Sequence, residues 1–315
     1  MKFNKNEFGW KEKVSVNTNE LSDDVSIKNS LTVGSRLGDI GEFSVAEGYE
    51  NTASGDYSHA EGECTTALGA VSHAEGSYTT ASGECSHAEG EASNLATDII
   101  QDLSSSTSND VILTAWNENS FSLAKGTSSH VDGIDNLALG DYSHAEGSNT
   151  KASGGYSHAE GADTTASGDF SHAEGANTTA SGNISHAEGD WTVASGYYSH
   201  AEGTGSTASG IASHAEGSGT KASSSNQHVQ GKYNIEDTEN KYAHIVGNGT
   251  SNTKRSNAHT LDWNGNGWYQ GELYTGGTSQ SDANKVLTTA NISFNESGEL
   301  VVTIGNVTKT FVPKE

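Results

Sequence analysis

From residue 30 to residue 231 the chain alternates small and bulkier polar positions with a period of two, inside a longer period of fourteen. In "DYSHAEG", residues 56–62, Ser58, Ala60 and Gly62 alternate with Tyr57, His59 and Glu61. In "ECTTALG", residues 63–69, Thr65, Ala67 and Gly69 alternate with Thr66 and Leu68. A period of two is the signal of a strand with one face turned inward. Each unit therefore predicts two short strands with a Ser/Thr/Ala/Gly interior. Glycine at the seventh place of each half predicts a chain reversal, because glycine accepts a positive φ without a Cβ clash.

The string SHAEG occurs nine times. Histidines from His59 to His228 advance in steps of 14, except for one step of 43 from His87 to His130, which is one unit plus 29 residues. A short fixed repeat marks a solenoid, in which each unit buries its faces only against its neighbours. Counting Val45 of "FSVAEG" as the first occupant of the histidine slot gives twelve coils, and Leu31 of "NSLTVG" is a weaker match. Parallel strands about 4.8 Å apart then predict a rod roughly 55–60 Å long.

The pattern breaks in five places. Residues 1–29 are polar with scattered apolar positions and read as an attachment segment or cap, or alternatively as a disordered tail. An insertion at about residues 94–122 contains "DVILTAW" and "NSFSLA", two strand-like runs joined by "NEN". Its Trp116, Asn117, Asn119 and Phe121 are the receptor-binding candidates, since recognition concentrates in protruding loops. The other reading is that the insertion braces a trimer laterally or covers a rod edge. Residues 232–277 lose the period and read as a β-rich shaft with Asn-Gly turns. Residues 278–290 read as a linker or short helix, and residues 291–315 as a three-stranded meander.

Composition narrows the class. Only 32% of the 315 residues are apolar, with 38 glycines and one proline, so a thick aliphatic core is excluded. The formal net charge of −25 argues against a nucleic-acid partner, which needs clustered Lys and Arg. No apolar run approaches the roughly 18 residues of a membrane span. The first residues, "MKFNKNEFGWKEKV", lack the apolar stretch of a secretory signal. Cys64 and Cys85 fall in different columns of the repeat and are expected to be free thiols.

The two outer faces differ. One carries Thr52, Thr66, Thr80, Lys151, Thr165, Thr179, Thr207 and Lys221 and reads as a solvated strand face. The other stacks Tyr57, Tyr142, Tyr156, Phe170 and Tyr198 beside two columns of ionisable residues. These are His59, His73, His87, His144, His158, His172, His186, His200 and His214, and Glu61, Glu75, Glu89, Glu146, Glu160, Glu174, Glu188, Glu202 and Glu216. Aromatic and half-polar residues in register suit an intersubunit surface, so this ladder is expected to face neighbouring chains around a threefold axis. Between residues 45 and 231 the only basic side chains are Lys125, Lys151 and Lys221. Histidine is then the counter-group for the carboxylates, and the expectation is a raised imidazole pKa with stability lost as pH climbs.

Catalysis is not expected. Adjacent Ser and His on a strand face opposite sides, and nine identical copies offer no unique set of roles. Zinc or nickel would accept His and carboxylate at i and i+2. Repetition along the whole length suits a structural ladder better than one closed site, so neither a metal nor a cofactor is expected.

The recurring Ser-x-Ala-x-Gly on a 14-residue coil, seen in "FSVAEG" at Ser44 to Gly48, resembles the YadA-like head repeat of trimeric autotransporter adhesins. The resemblance covers about residues 30–231, with His and Glu where the family repeat has two apolar residues. It implies an all-β, left-handed parallel β-roll assembled as a homotrimer. The SHAEG version followed by "QHVQGKYNIEDTENKYAHIVGNG" and "SNAHTLDWNGNGWYQGELYTGG" is similar to phage and prophage appendage proteins of Gram-positive hosts. That likeness implies a non-enzymatic virion protein. It would be a tail fibre or baseplate-associated receptor-binding component, assembled in the host cytoplasm and joined to tail or baseplate proteins through its N-terminus. It would bind a bacterial surface glycan or protein. The alternative is a trimeric adhesin or coat protein on the bacterial cell surface.

Overall fold

A computed structural model of the chain describes residues 31–36, 40–91 and 121–270, with short segments at 274–275, 284–285, 292–294, 299–304 and 307–311. Every regular element among the described residues is a β-strand. One coil illustrates the repeat. Strand His59–Glu63 runs into a corner at Cys64, strand Thr66–Ala67 returns, and a wider turn through Gly69 and Val71 leads to His73.

Coils stack in parallel and in register, so each residue type sits on its own kind. In the histidine sheet Val45 pairs with His59, His59 with His73 and His73 with His87. His87 then pairs with His130, across the break in the repeat. In the threonine sheet Thr52 pairs with Thr66, Thr66 with Thr80, Thr80 with Leu123, and Leu123 with Leu137. The weak match at Leu31 is part of the parallel stack, and at the other end the stack runs one strand past the sequence estimate. Leu31–Arg36 pairs with Val45, and His244 of strand Tyr242–Asn248 pairs with His228. The period is lost there because the step from His228 to His244 is 16 residues rather than 14.

The interior is a column of buried alanines, Ala60 to Ala222, lined by buried Ser58, Thr65 and their equivalents. Hydroxyls inside so thin a coil need local partners, since an unpaired buried hydroxyl is costly. Ser58 Oγ donates to Gly55 O at 2.6 Å, and Ser143, Ser157 and Ser171 repeat the contact.

The glycines work differently from the sequence expectation. Gly62 has a φ of +111° and is exposed at its corner rather than turned inward. Gly69 has no such φ; a Cβ there would lie 1.9 Å from the carbonyl oxygen of Gly83 in the next coil. The second glycine column is therefore set by the closeness of stacked backbones. Positive φ, as expected for the Gly62 column, is also carried at the corners by residues such as Tyr57 (60°), Cys64 (54°), Val71 (59°) and Ile184 (56°). A left-handed conformation costs such residues roughly 1–2 kcal/mol. An inter-coil hydrogen bond holds each one, as from Tyr57 N to Glu42 O and from Val71 N to Asp56 O, both 2.8 Å.

The coil interrupted by the insertion closes normally. Glu91 bridges Ile134, and strand Ser122–Ala124 pairs with Thr79–Ala81. Ser122 thus belongs to the roll, and the insertion ends before it. On the outer side of the threonine sheet Leu123 and Leu137 are fully buried, in a slot that elsewhere holds Thr, Lys or Val.

At the C-terminal end the roll is capped. Strand Asn257–Asp262 pairs antiparallel with Tyr242–Asn248 and with Gly267–Tyr269. Asp237 Oδ2 accepts from Gln227 Nε2 (3.0 Å), Lys241 N (2.9 Å) and Tyr242 N (2.8 Å). Ser224 stands in the glycine column here, with its Oγ donating to Asp237 O, because no regular coil stacks on it. Tyr274–Thr275 pairs antiparallel with Asn284–Lys285, so a strand lies where a linker or helix was expected. Strands Ile292–Phe294, Leu300–Ile304 and Val307–Phe311 form the expected antiparallel meander.

Candidate functional site

In-register stacking turns the repeated histidine into a continuous column. From His59 to His228 successive imidazole centroids are 4.6–4.9 Å apart and within 8° of parallel. His130 and His228, which share the 14-residue step, complete the ladder read from sequence. His244 adds a ring tilted by 45° at 5.2 Å from His228.

Each glutamate lies two residues along the same strand, and its carboxylate reaches an imidazole in one of two ways. Within a coil, His144 Nε2 is 3.5 Å from Glu146 Oε2 and His158 Nε2 is 3.6 Å from Glu160 Oε2. Between coils, His214 Nε2 is 3.3 Å from Glu202 Oε1 and His87 Nε2 is 3.5 Å from Glu75 Oε1. These separations exceed the 2.7–2.9 Å of a charge-assisted hydrogen bond. The Nε2 atoms of all eleven stacked histidines are sealed from solvent and make no hydrogen bond.

The expected rise in imidazole pKa is corrected where a shift is resolved. Burial holds His144 below the ordinary histidine value, the neighbouring His130 and His158 push it the same way, and Glu146 opposes them more weakly. His244 is lowered by burial and then by His228 and His259. Ring-to-ring proximity and desolvation outweigh the carboxylates, so the neutral imidazole is favoured at these two positions.

The aromatic column lies at the corner preceding each histidine and remains outside. Tyr57, Tyr142, Tyr156, Phe170 and Tyr198 are 52–63% exposed. Tyr142, Tyr156 and Phe170 stack with centroids 4.8 Å apart. Apolar surface aligned in this way over several coils is more than the scattered exposure usual for a monomer. A shallow groove of about 410 Å³ runs beside the acid column, floored by Gly133, Gly147, Gly161 and Gly175.

Of the receptor-binding candidates, Trp116, Asn117 and Asn119 lie outside the described residues. Phe121 is corrected: it is fully buried, occupying the corner slot of Cys64 and Tyr78 as the chain re-enters the roll. A cleft of about 540 Å³ at the C-terminal cap, lined by Tyr242, Arg255, Asp262, Trp268 and others, was not legible in the repeat. The exposed Trp263, Trp268 and Tyr269 beside it come from the Asn- and Gly-rich hairpin of "LDWNGNGWYQG".

The serine and histidine of each repeat lie on opposite sides of the sheet. Ser157 Oγ bonds Gly154 O inside the coil while His158 faces Glu160 outside. Metal-ligating groups do converge, as His144, Glu146 and His158, or His158, Glu160 and His172, with ligand atoms within 4.8 Å of one another. Burial lowers the pKa of Lys151 on the opposite sheet, with Asp163 opposing that shift. Cys64 is buried and Cys85 exposed, both as free thiols.

Comparison with known families matches the YadA head domain repeat at residues 60–83, 159–185, 173–199 and 201–220. All four matches fall within the stacked coils. No curated protein matches the chain. The chain thus contains YadA-like head repeats, folded as a parallel β-roll of about twelve 14-residue coils.

Proposed function

We propose that the chain is the head of a trimeric, non-catalytic adhesin displayed outside the cell, in which the roll supplies reach and stiffness and recognition sits where the repeat ends or breaks. The observation that carries this reading is the unbroken parallel stack bearing YadA head repeats. Such a stack presents one exposed aromatic ladder per chain, and three chains around an axis bury it against partners. The trimer places the His and Glu columns and Tyr57, Tyr142, Tyr156, Phe170 and Tyr198 at or beside the intersubunit surface. Native mass measurement is expected to give three chains per particle. A monomer at micromolar concentration would sink the interface.

A second reading, supported by the C-terminal segment "SNAHTLDWNGNGWYQGELYTGG", is a receptor-binding appendage of a phage tail, acting on a bacterial surface glycan or protein. Gene neighbourhood separates the two. Tail and baseplate genes alongside favour the virion part, and surface-anchoring machinery favours the cellular adhesin. Adhesion of the purified trimer to bacterial envelopes, against host tissue proteins as the contrasting surface, tests the same distinction at the level of binding.

A further inference from the structure

We propose that the histidine–glutamate face is a multi-site binder of divalent first-row transition-metal ions, each taken by a His–Glu–His set from two stacked coils. The geometry is that of a single chain and does not rest on the trimer. In a tetrahedral site with bonds of about 2.1 Å, neighbouring ligand atoms lie about 3.4 Å apart. The Nε2-to-carboxylate separations run from 3.3 Å (His214–Glu202) to 4.0 Å (His59–Glu61) and bracket that value, with 3.4 Å for His130–Glu89 and His228–Glu216, 3.5 Å for His144–Glu146 and 3.6 Å for His158–Glu160. They are long for hydrogen bonds and right for two ligands of one ion.

The donor atoms are also available. The Nε2 atoms are sealed from solvent and unpartnered, which costs free energy that a metal bond would recover. The second imidazole, one coil away, has its donor atom within 4.8 Å of the others. Reaching a common ion needs a closure on the order of 1 Å by ring tilt. The ring of His244, 45° from that of His228, shows that this face accommodates tilted imidazoles. Electrostatics point the same way. Carboxylates stacked every coil, with only three basic side chains between residues 45 and 231, repel one another, and each dication offsets that repulsion. Imidazole with carboxylate selects zinc, nickel or copper over magnesium and calcium. Binding needs neutral imidazole.

The test uses the full chain, purified without a metal-affinity step, stripped with EDTA and dialysed against ZnCl2. More than one zinc per chain is expected, retained against a large excess of Mg²⁺. The variant His144→Val/His158→Val/His172→Val should lose zinc while keeping the roll, because Val45 already occupies this slot. Glu146→Gln/Glu160→Gln is the second variant, chosen because Gln230 already stands in the acid column. On the unmodified chain, Cu²⁺ should show nitrogen hyperfine structure in its electron paramagnetic resonance. Three results each overturn the proposal: zinc displaced by Mg²⁺, zinc content unchanged in both folded variants, or a copper spectrum with no nitrogen coupling.

Discussion

At the residue scale, His144 behaves oppositely to what its neighbours in the sequence suggest. Carboxylates two residues away favour protonation, but stacking places a second and third imidazole under 5 Å from each ring. At His144 burial and those rings prevail. A histidine with a depressed folded pKa contributes stability that is present above the unfolded value of about 6.5 and is lost as pH falls through the folded value. With EDTA present, the thermal midpoint should therefore drop as pH goes from about 7.5 to about 5. Replacing His144 by valine should flatten that slope. A midpoint that rises on acidification would restore the raised-pKa picture. The glycines permit an equally local test. A Cβ on Gly154 would sit 2.1 Å from Gly168 O, whereas on the adjacent Gly155 it would meet nothing nearer than 3.6 Å. Gly154→Ala should destabilise by more than about 3 kcal/mol or block folding, and Gly155→Ala should stay within about 0.5 kcal/mol, by chemical denaturation.

At the element scale, what could be read in advance and what could not divide along the stacking direction. Strand faces, the Ser/Thr/Ala interior and the register were legible because stacking in register makes each column chemically uniform. The left-handed corners were not, since Tyr57, Cys64, Val71 and Ile184 share no residue type and are held by inter-coil hydrogen bonds between backbones. The cap was equally hidden. Its chemistry rests on Gln227 replacing the repeat's serine and on Asp237 arriving from a segment without period. One carboxylate there collects two part-buried backbone donors and the buried Gln227 amide, which also donates to Tyr242 O. Asp237→Ala should cost about 1–3 kcal/mol, the range for unsatisfied buried donors. The loss should be local, with faster hydrogen exchange at the Lys241 and Tyr242 amides and little change in the central coils. Exchange speeding up uniformly along the roll would mean that the cap sets the stability of the whole stack.

At the scale of the whole molecule, the roll is one continuous rod into which a foreign segment has been placed at a corner. The imidazole stack passes the break with the same spacing as elsewhere, 4.9 Å from His87 to His130. Glu91 keeps its bridges to Ser77 and Ile134, and Ser122–Ala124 pairs on both sides. Removing residues 92–120 joins Glu91 to Phe121 and restores a 14-residue step, with the paired strands left intact. A cut at 94–122, the boundary the sequence pattern suggests, removes the same number of residues and keeps the 14-residue step, but puts Ser93 in place of Ser122 in the threonine sheet. The deletion is best made with Leu123→Thr and Leu137→Thr, which return that slot to the residue type of Thr66 and Thr165. The shortened chain should keep its β-sheet circular dichroism, its oligomeric mass and its cooperative unfolding. Adhesion then locates recognition: a shortened rod that folds and no longer binds assigns it to the insertion. One that binds as before assigns it to the C-terminal cap, where Trp263, Trp268 and Tyr269 stand exposed beside the cleft. Loss of the oligomer on deletion would overturn the view that the roll assembles through its repeated face, and would make the insertion the brace that holds the chains together.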